Sequence, residues 1–307
     1  MRILVAGASG FIGKNLLLAL PPDWQVFAQY SRSATFQEFL NSKRLSKVVP
    51  LQADLTTDAG VEQVAAVSST FDCCVFLAAN GNPAISAAQP AFDLASNTLT
   101  LVKLLEALCF GKFIYFSSGA VYDGLSGAVT PSSALAPRLP YAISKLASES
   151  YLKHFRQQGR LQHSVAVRFF GAYGPHEPPR KVYSRLVRQF GMLREPKFVI
   201  RGDGRNLIDA MHVSDAVRAV LLLMERAEGE VTLDLYSGQP LSLTQLVEQT
   251  AGVFGLKADI CYEGHVPEYI EFRSVDKTQG FYGFTPSVDL QTGLRDLLAH
   301  LKETGGT

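Results

Sequence analysis

Three residues in the middle of the chain have the types and spacing needed for proton exchange with an alcohol or a carbonyl group. Tyr141 and Lys145 stand at positions i and i+4, which puts both side chains on one helix face, about 6 Å apart along the axis. An ammonium beside a phenol favours the phenolate, so we expect Lys145 to lower the pKa of Tyr141. Ser118 follows the apolar run 113–116, where its hydroxyl can orient the reacting oxygen.

A glycine-rich segment near the start of the sequence has the pattern of a turn that binds a dinucleotide. Gly7, Gly10 and Gly13 lie between the apolar run 3–6 and a predicted helix over about 12–20. There Gly7 permits the tight turn, Gly10 lets a pyrophosphate approach the N–H groups of the helix start, and Gly13 allows close helix–strand packing. A flexible turn without a ligand is the alternative. With a nicotinamide dinucleotide bound, the tyrosine would serve hydride transfer.

The residues after the second predicted strand bear on the choice between NAD and NADP. An acidic residue there would bind the ribose hydroxyls of NAD, but the chain has Gln29, Tyr30, Ser31 and Arg32. Ser31 and Arg32 could donate to a 2′-phosphate instead. The sequence therefore favours NADP, with NAD as the alternative. Asp54, after the third strand, is placed either to accept from the adenine amino group or to cap a turn.

The elements that must position these residues alternate between strands and helices. Apolar strand runs alternate with helical stretches near 59–68, 91–109 and 141–157. This order predicts the α/β class, a Rossmann-type doubly wound parallel sheet with a smaller, interleaved C-terminal substrate-binding region. The dinucleotide-binding domain is predicted over 1–170, with 205–227 returning to it, and the smaller region over 171–204 and 228–307. Substrate should bind at the carboxyl edge of the sheet.

Composition argues against several other classes of protein. A net charge of +1 over 307 residues offers no electrostatic footprint for nucleic acid or an anionic membrane. No run of about 18 apolar residues predicts a membrane span. Six histidines and four cysteines show no metal-ligand spacing. We therefore expect a cytoplasmic protein with no metal, no nucleic-acid partner and no membrane association.

Taken in order along nearly the whole chain, these landmarks resemble the extended short-chain dehydrogenase/reductase family. Within that family the nucleotide-sugar epimerase/dehydratase branch fits best. The segments that carry the resemblance are 7–13, Asn97, 116–118, 121–122, 141–145, 173–175, 202–204 and 209–215.

The resemblance assigns roles by position. The catalytic serine falls on Ser118, the proton-transferring tyrosine on Tyr141 and the ribose-binding lysine on Lys145, while Asn97 matches the asparagine that supports the lysine through water. The cofactor contacts expected are Gly7, Gly10, Phe11, Ile12, Gly13, Ser31, Arg32, Asp54, Leu55, Leu77, Ala78, Ala79, Ser117, Tyr141, Lys145 and Phe170.

The chain departs from the family pattern beside the catalytic serine. Dehydratases and decarboxylases of the family place acidic residues there, whereas this chain has Gly119 and Ala120, so neither reaction is expected. Epimerisation at C4 or 4-keto reduction of a nucleotide sugar remains. The family's usual diphosphate contacts are replaced by Gly171 and Ile208. The substrate contacts expected are Ser118, Gly119, Tyr141, Arg180, Arg205 and His176.

Two further readings stay open. The missing diphosphate contacts admit a reductase of a non-nucleotide carbonyl compound. A non-catalytic dinucleotide-sensing protein is the other alternative, although an intact Ser118, Tyr141 and Lys145 set counts against it. Apolar stripes on the predicted helices 91–109 and 141–157 match the helices that often form a four-helix dimer interface in the resembling family, so a homodimer is expected.

Overall fold

A computed structural model describes residues 1–265 and 270–305, and its centre is one parallel sheet of seven strands. In chain order the strands are β1 (Arg2–Ala6), β2 (Gln25–Tyr30), β3 (Val48–Gln52), β4 (Thr70–Phe76), β5 (Cys109–Ser118), β6 (Leu161–Phe169) and β7 (Glu230–Leu235). They are arranged in the order β7–β6–β5–β4–β1–β2–β3. This is the order of a doubly wound dinucleotide-binding sheet with one strand added at its edge.

Helices connect the strands and continue through the C-terminal part. The α-helices of the described residues are α1 (Phe11–Ala19), α2 (Phe36–Ser42), α3 (Asp58–Val67), α4 (Pro83–Ala88), α5 (Pro90–Leu94), α6 (Thr100–Ala107), α7 (Pro140–Gln157), α8 (Val182–Leu186), α9 (Val213–Arg226), α10 (Leu243–Val253), α11 (Thr278–Phe281) and α12 (Leu290–Glu303). Short π-helical and 3₁₀ segments are Ala95–Leu99, Val187–Met192 and Gly119–Tyr122. The first of them joins α5 to α6 without a break.

Both faces of the sheet are buried, because alternate strand residues point to opposite sides. Ile3 and Val5 of β1 belong to the cluster that packs under α1, α2 and α9. Leu4 and Ala6 belong to the opposite cluster, under α3, α6 and α7. Strands covered on both faces explain the near-continuous apolar runs of the sequence.

A third apolar cluster holds the C-terminal part together. It joins Tyr173, Leu186 and Phe190 to side chains of α10 and α12. In the described part of the chain, four pairs of short strands lie outside the central sheet: Ala172–Tyr173 with Met211–His212, Lys197–Arg201 with Asp259–Glu263, Leu207–Ile208 with Leu241–Ser242, and Ser126–Val129 with Glu271–Ser274. Ser126–Val129 comes shortly after β5, beyond the 3₁₀ segment Gly119–Tyr122, so the last pair brings a C-terminal strand next to the carboxyl edge of the central sheet.

The predicted α/β class and doubly wound parallel sheet are confirmed. Two details differ. The sequence assigned the whole of 228–307 to the smaller region, but Glu230–Leu235 pairs in parallel with β6 as the seventh strand. The helix predicted over 91–109 ends at Ala107, because β5 already begins at Cys109. Within the described ranges, no helix is both long and apolar enough to span a membrane.

Candidate active site

Ser118, Tyr141 and Lys145 meet at the carboxyl edge of the sheet. Ser118 ends β5, and its Oγ accepts a hydrogen bond from the N–H of Ala120 at 3.1 Å. Tyr141 lies in the first turn of α7, which Pro140 begins. Lys145, one turn further, is buried and donates from Nζ to the Phe116 carbonyl oxygen at 2.8 Å. Its Nζ lies 5.8 Å from the centre of the Tyr141 ring.

Burial is the largest influence on the pKa values of Tyr141 and Lys145. It raises the pKa of Tyr141 above its ordinary value, and a hydrogen bond with Ser118 acts in the opposite direction. The net direction is opposite to the lowering that the sequence predicted beside Lys145, because loss of solvent is the largest cause and Asp93 also raises the pKa. Burial also lowers the pKa of Lys145 to about 8, while Asp93 and Glu149 raise it. At neutral pH the site therefore pairs a phenol with an ammonium.

A buried polar cluster behind Lys145 connects the predicted Asn97 to Asp93, Ser86 and Ser144, which sequence reasoning did not single out. Asn97 is fully buried, donates from Nδ2 to Asp93 Oδ1 at 2.8 Å and to Ser144 Oγ at 3.1 Å, and accepts from the N–H of Asn80 at 2.7 Å. Asp93 Oδ1 also accepts from Ser86 Oγ at 2.5 Å. Asn97 thus contacts Ser144, the residue that directly precedes Lys145. The available signal was an acidic residue one helical turn before Asn97.

Ser117 faces the interior and not the dinucleotide edge. Its hydroxyl donates to Glu149 of α7, whose Oε2 accepts from Arg168 Nη2 at 2.9 Å. Arg168 Nη1 also donates to Tyr122 Oη at 3.0 Å. These buried contacts tie β5, β6 and α7 together, so Ser117 holds the catalytic helix against the sheet and leaves its neighbour Ser118 at the site.

The glycine turn is shaped to receive a dinucleotide pyrophosphate. Gly7 has φ +79°, and a Cβ there would lie 2.7 Å from the Ala78 backbone nitrogen. At Gly13 a Cβ would lie 2.5 Å from the Ala8 carbonyl oxygen, so α1 packs against the turn. Gly10 caps α1 without a side-chain hydrogen bond and no acidic residue follows in the first turn. The N–H groups of the first helical residues, Phe11 and Ile12 among them, are thereby available to an anion.

A cavity of about 490 Å³ lies beside this turn. It brings together six of the predicted cofactor contacts: Ser31, Arg32, Asp54, Leu55, Ala78 and Ala79. Leu77 extends β4, since its N–H donates to the carbonyl oxygen of Ala6 in β1 at 2.8 Å. Gln29, Asn80 and Phe92 also line the cavity but were not predicted. The cavity is placed to hold the adenosine of a dinucleotide, and the glycine turn is placed to hold its diphosphate.

The Arg32 side chain is directed at Asp54. Its Nη2 lies 3.7 Å from Asp54 Oδ2, and the Arg32 side chain is 82% exposed. Asp54 is held in turn by Thr56, whose N–H and hydroxyl donate to Oδ1 at 3.0 and 2.7 Å. These bonds are the main cause that lowers the pKa of Asp54. The two predicted cofactor contacts Arg32 and Asp54 therefore form an ion pair, which the sequence did not predict.

One cavity lies at Ser118 and Tyr141, and a second cavity shares a wall with it. The first, about 390 Å³, is lined by Ser118, Gly119 and Tyr141 on one side and by Phe170 and Phe272 on the other. Phe170, predicted to touch cofactor, thus lines the same cavity as Ser118 and Tyr141. The second, about 770 Å³, contains two cationic side chains, Arg185 and Arg201. The residues common to both cavities are Asn206, Leu207 and Ile270.

Three predicted substrate contacts are not placed with the catalytic residues. Arg180 is exposed, and Arg205 is exposed and pairs with Asp203 of its own turn. His176 packs against His300, with ring centres 4.3 Å apart, and against Phe39 at 5.3 Å. Within the described part of the chain, no group of three or more His, Cys, Asp or Glu side chains is arranged to hold a metal ion.

Known proteins resemble this chain over its full length. An uncharacterised UDP-glucose epimerase of Bacillus subtilis (strain 168) is 26% identical, with 98% of both chains covered. A dTDP-glucose 4,6-dehydratase of an Actinoplanes species is also 26% identical, with 97% of both chains covered.

Solved structures agree with the fold. The UDP-glucose 4-epimerase of Thermotoga maritima, solved with UDP-glucose, is 27% identical and superposes with a TM-score of 0.87 over 99% of both chains. A UDP-glucuronic acid 4-epimerase of Bacillus cereus, solved with UDP-glucuronic acid and NAD, is 25% identical, with a TM-score of 0.86 over 99% of this chain and 100% of the other.

The family assignment follows from the sequence match and the site together. The model of the NAD dependent epimerase/dehydratase family matches residues 3–236, which include the glycine turn and the Ser118, Tyr141 and Lys145 site. The chain therefore belongs to the NAD dependent epimerase/dehydratase family and is an enzyme of the extended short-chain dehydrogenase/reductase type.

Proposed function

We propose that the protein is an NAD-dependent 4-epimerase of a nucleotide sugar. The observation that carries this proposal is the position of Ser118 and Tyr141 in the lining of one cavity, with the buried Lys145 one helical turn beyond Tyr141. This cavity lies at the sheet edge that also carries the glycine turn. Open α/β sheets bind ligands at this edge. The UDP-sugar 4-epimerases among the solved relatives support the same reaction for this chain.

The side chains divide the chemistry at C4 between them. Tyr141 acts as the phenolate, after its own proton has left to solvent, and takes the proton of the 4-hydroxyl as the C4–H bond breaks, while Ser118 holds the reacting oxygen by a hydrogen bond. Bound NAD would supply the hydride acceptor and, in the return step, the donor. The Lys145 ammonium stabilises the phenolate that forms when Tyr141 gives up its proton. Inversion requires the 4-keto sugar to present its other face before Tyr141 returns the proton, so no atom is gained or lost.

Packing at Gly119 argues against the 4,6-dehydratase activity named for some relatives. A Cβ at this position would lie 3.2 Å from the Phe170 ring, so an acidic side chain would require the ring to move. Ala120 supplies no acid either. The cavity therefore has redox groups for C4 but no acid next to Ser118 to assist loss of water from the sugar.

NAD is the dinucleotide that we propose, in place of the NADP expected from Ser31 and Arg32. A 2′-phosphate near Arg32 would also approach the Asp54 carboxylate, 3.7 Å from the guanidinium, and like charges repel. Several solved relatives contain NAD. A ribose with free hydroxyls avoids this repulsion and can donate to the carboxylate.

The second cavity is the proposed place for the nucleotide and its phosphates. Arg185 and Arg201 supply positive charge there, with Glu263 as the acidic member of the lining. The wall shared with the first cavity would let one extended ligand reach both. This arrangement replaces the expected contacts from Arg180, Arg205 and His176.

A 4-keto reduction is the second candidate, favoured by one observation. Burial raises the pKa of Tyr141, and the protonated phenol is the form that donates to a carbonyl oxygen. Such a reductase releases its oxidised dinucleotide after each turnover, whereas an epimerase uses the same molecule twice. Retention of the dinucleotide therefore separates the two candidates.

A homodimer also forms part of the proposal. Apolar side chains of the α5–α6 helix and of α7 are exposed to a degree unusual for their size: Leu94 51%, Leu99 43%, Ile143 47% and Tyr151 44%. An exposed apolar face on two adjacent helices fits a second copy of the same face.

The test combines cofactor identification with a turnover assay. We expect denatured protein to release NAD, and proton NMR to show conversion of UDP-glucose or dTDP-glucose to the 4-epimer without added dinucleotide. Tyr141→Phe should keep the dinucleotide and lose at least about 10²-fold in kcat. Activity only with added reduced dinucleotide and a 4-keto sugar would favour the reductase. Binding of a dinucleotide without turnover of any sugar nucleotide would overturn the proposal, and activity on simple ketones would then identify a non-nucleotide reductase.

A further inference from the structure

We infer that the sugar reacting at Tyr141 presents a methyl group or a hydrogen, and no carboxylate, to the wall formed by Phe170 and Phe272. The substrate class is then a nucleotide-linked neutral deoxysugar or pentose. This inference rests on the proposed function and narrows it.

The wall opposite the catalytic hydroxyls is apolar. Phe272 is only 7% exposed, and its ring centre lies 6.0 Å from that of Phe170 in an edge-to-face arrangement. Leu139, Leu207 and Ile270 complete this side of the cavity. A hydroxymethyl or carboxylate group placed there would lose water without gaining a hydrogen-bond partner from these side chains, whereas a methyl group loses nothing.

The charge near this cavity is negative and already engaged. Among the described residues of the lining, Asp123 is the only charged side chain. Its Oδ2 accepts from the N–H groups of Arg138 and Leu139 at 2.7 and 3.2 Å, so it holds the start of α7 in place. Its Oδ1 lies 3.8 Å from the largely exposed Arg138 guanidinium. A sugar carboxylate would therefore approach a carboxylate whose cation is already paired.

Two arginines line the neighbouring cavity, whereas the described lining of the first cavity contains no cationic side chain. Arg185 and Arg201 line the second cavity and not the first. Asn206 and Ile270 stand between the two, joined by a hydrogen bond of 2.7 Å from the Ile270 N–H to Asn206 Oδ1. A ligand that spans both cavities thus has its anionic part at the arginines and its uncharged part at Tyr141.

This arrangement predicts an order among substrates that differ only at C6. One methyl group in an apolar pocket changes specificity by roughly 10- to 200-fold. A buried carboxylate without a partner is penalised more strongly than a hydroxyl. We expect kcat/KM to fall from the 6-deoxy sugar to the hydroxymethyl sugar and further to the uronate, with roughly 10²-fold between first and last.

The test uses matched sugar nucleotides with the wild-type enzyme. UDP-6-deoxyglucose, UDP-glucose and UDP-glucuronic acid, with the dTDP forms of the first two, are compared by NMR for turnover. The same compounds are titrated into Tyr141→Phe for binding. The expected order in both measurements supports the inference. Turnover or binding of the uronate equal to or better than that of the 6-deoxy sugar would overturn it while leaving the proposed function intact. Failure of every sugar nucleotide to bind or react would overturn both.

A variant pair tests the wall itself. Ile270 is 47% exposed at the rim, so Ile270→Arg adds a cation without opening the apolar core. We expect it to raise kcat/KM for the uronate at least about 10-fold and to lower it for the 6-deoxy sugar. Leu193→Arg, at a 61% exposed position outside both linings, should change neither. An unchanged substrate ratio in Ile270→Arg would count against the wall as the determinant.

Discussion

Asp93 lies one helical turn before Asn97 and accepts a hydrogen bond from its side-chain amide at 2.8 Å. The Asp93 side chain is 1% exposed, and within the described residues its Oδ2 has no hydrogen-bond partner. The Asn97 side-chain amide also donates a hydrogen bond to Ser144, the residue before Lys145. A buried carboxylate this close favours the charged form of a buried lysine. We therefore expect Asp93 to act as a positioning residue for Lys145.

Asp93→Asn should separate this electrostatic role from packing, because the two side chains have the same shape. We expect the pKa of Lys145 to fall below about 8, since the carboxylate raises it. The measurement is the pH titration of the Lys145 ¹³Cε signal, assigned with Lys145→Met. The pH profile of kcat should shift in the same direction. Asp58→Asn, at an exposed ion pair, is the control. An unmoved Lys145 titration would leave Asp93 with a structural role only.

The close approach at Gly13 gives a second prediction. A methyl group there meets the Ala8 carbonyl oxygen at 2.5 Å, and neither backbone segment can yield without moving α1. Gly13→Ala should cost about 1–3 kcal/mol of unfolding free energy and weaken NAD binding. Gly252→Ala, in the last turn of α10 with no atom within 4 Å, should be neutral or slightly stabilising. Urea denaturation measures the unfolding free energy of both variants, and dinucleotide titration measures their affinity for NAD. Equal effects of the two substitutions would contradict the packing argument.

The parts of the site that the sequence predicted correctly are local. The glycine turn follows from spacing between one strand and one helix, and Tyr141 and Lys145 share a face because of helical periodicity. The doubly wound sheet follows from alternation of strand and helix runs. The turn and the helical pair each depend on about ten consecutive residues, and the alternation is a sum of such local runs, so the sequence alone was sufficient.

What the sequence missed depends on contacts between distant segments. The ion pair between Arg32 and Asp54 joins the ends of two strands, and the bond between Ser117 and Glu149 joins a strand to a helix. His176 lies in the loop where substrate contacts were expected, yet its ring packs against the ring of His300 in α12. Periodicity carries no information about such pairings.

The proposed dimer face predicts a change of oligomeric state. Leu99 and Tyr151 are 43% and 44% exposed, so a charge at either would be buried without a partner if two copies pack there. Leu99→Glu and Tyr151→Glu should sediment as monomers at micromolar concentration, whereas wild type and Leu193→Glu sediment as dimers. A monomeric wild type would remove the dimer from the proposal. Dimeric Glu variants would show that the dimer interface lies elsewhere on the protein.

The buried Glu177 should make stability depend on pH. Its Oε2 accepts from the Ser184 N–H and hydroxyl, each at 2.7 Å, but burial raises the pKa of Glu177 from 4.5 to about 7. The folded state thus binds the proton more tightly than the unfolded state. The contribution of this group is fully present below about pH 4.5 and is lost as pH rises to about 7.

Glu177→Gln should remove this dependence. Relative to wild type, the unfolding free energy of the variant should improve between pH 4.5 and pH 8 by about 3 kcal/mol at most. The change is expected because the amide stays neutral throughout while the wild-type carboxyl must ionise in a buried place. Urea denaturation at several pH values measures the difference, with Glu62→Gln at an exposed position as control. Parallel pH curves for wild type and Glu177→Gln would show that Glu177 ionises as easily in the folded chain as in the unfolded one.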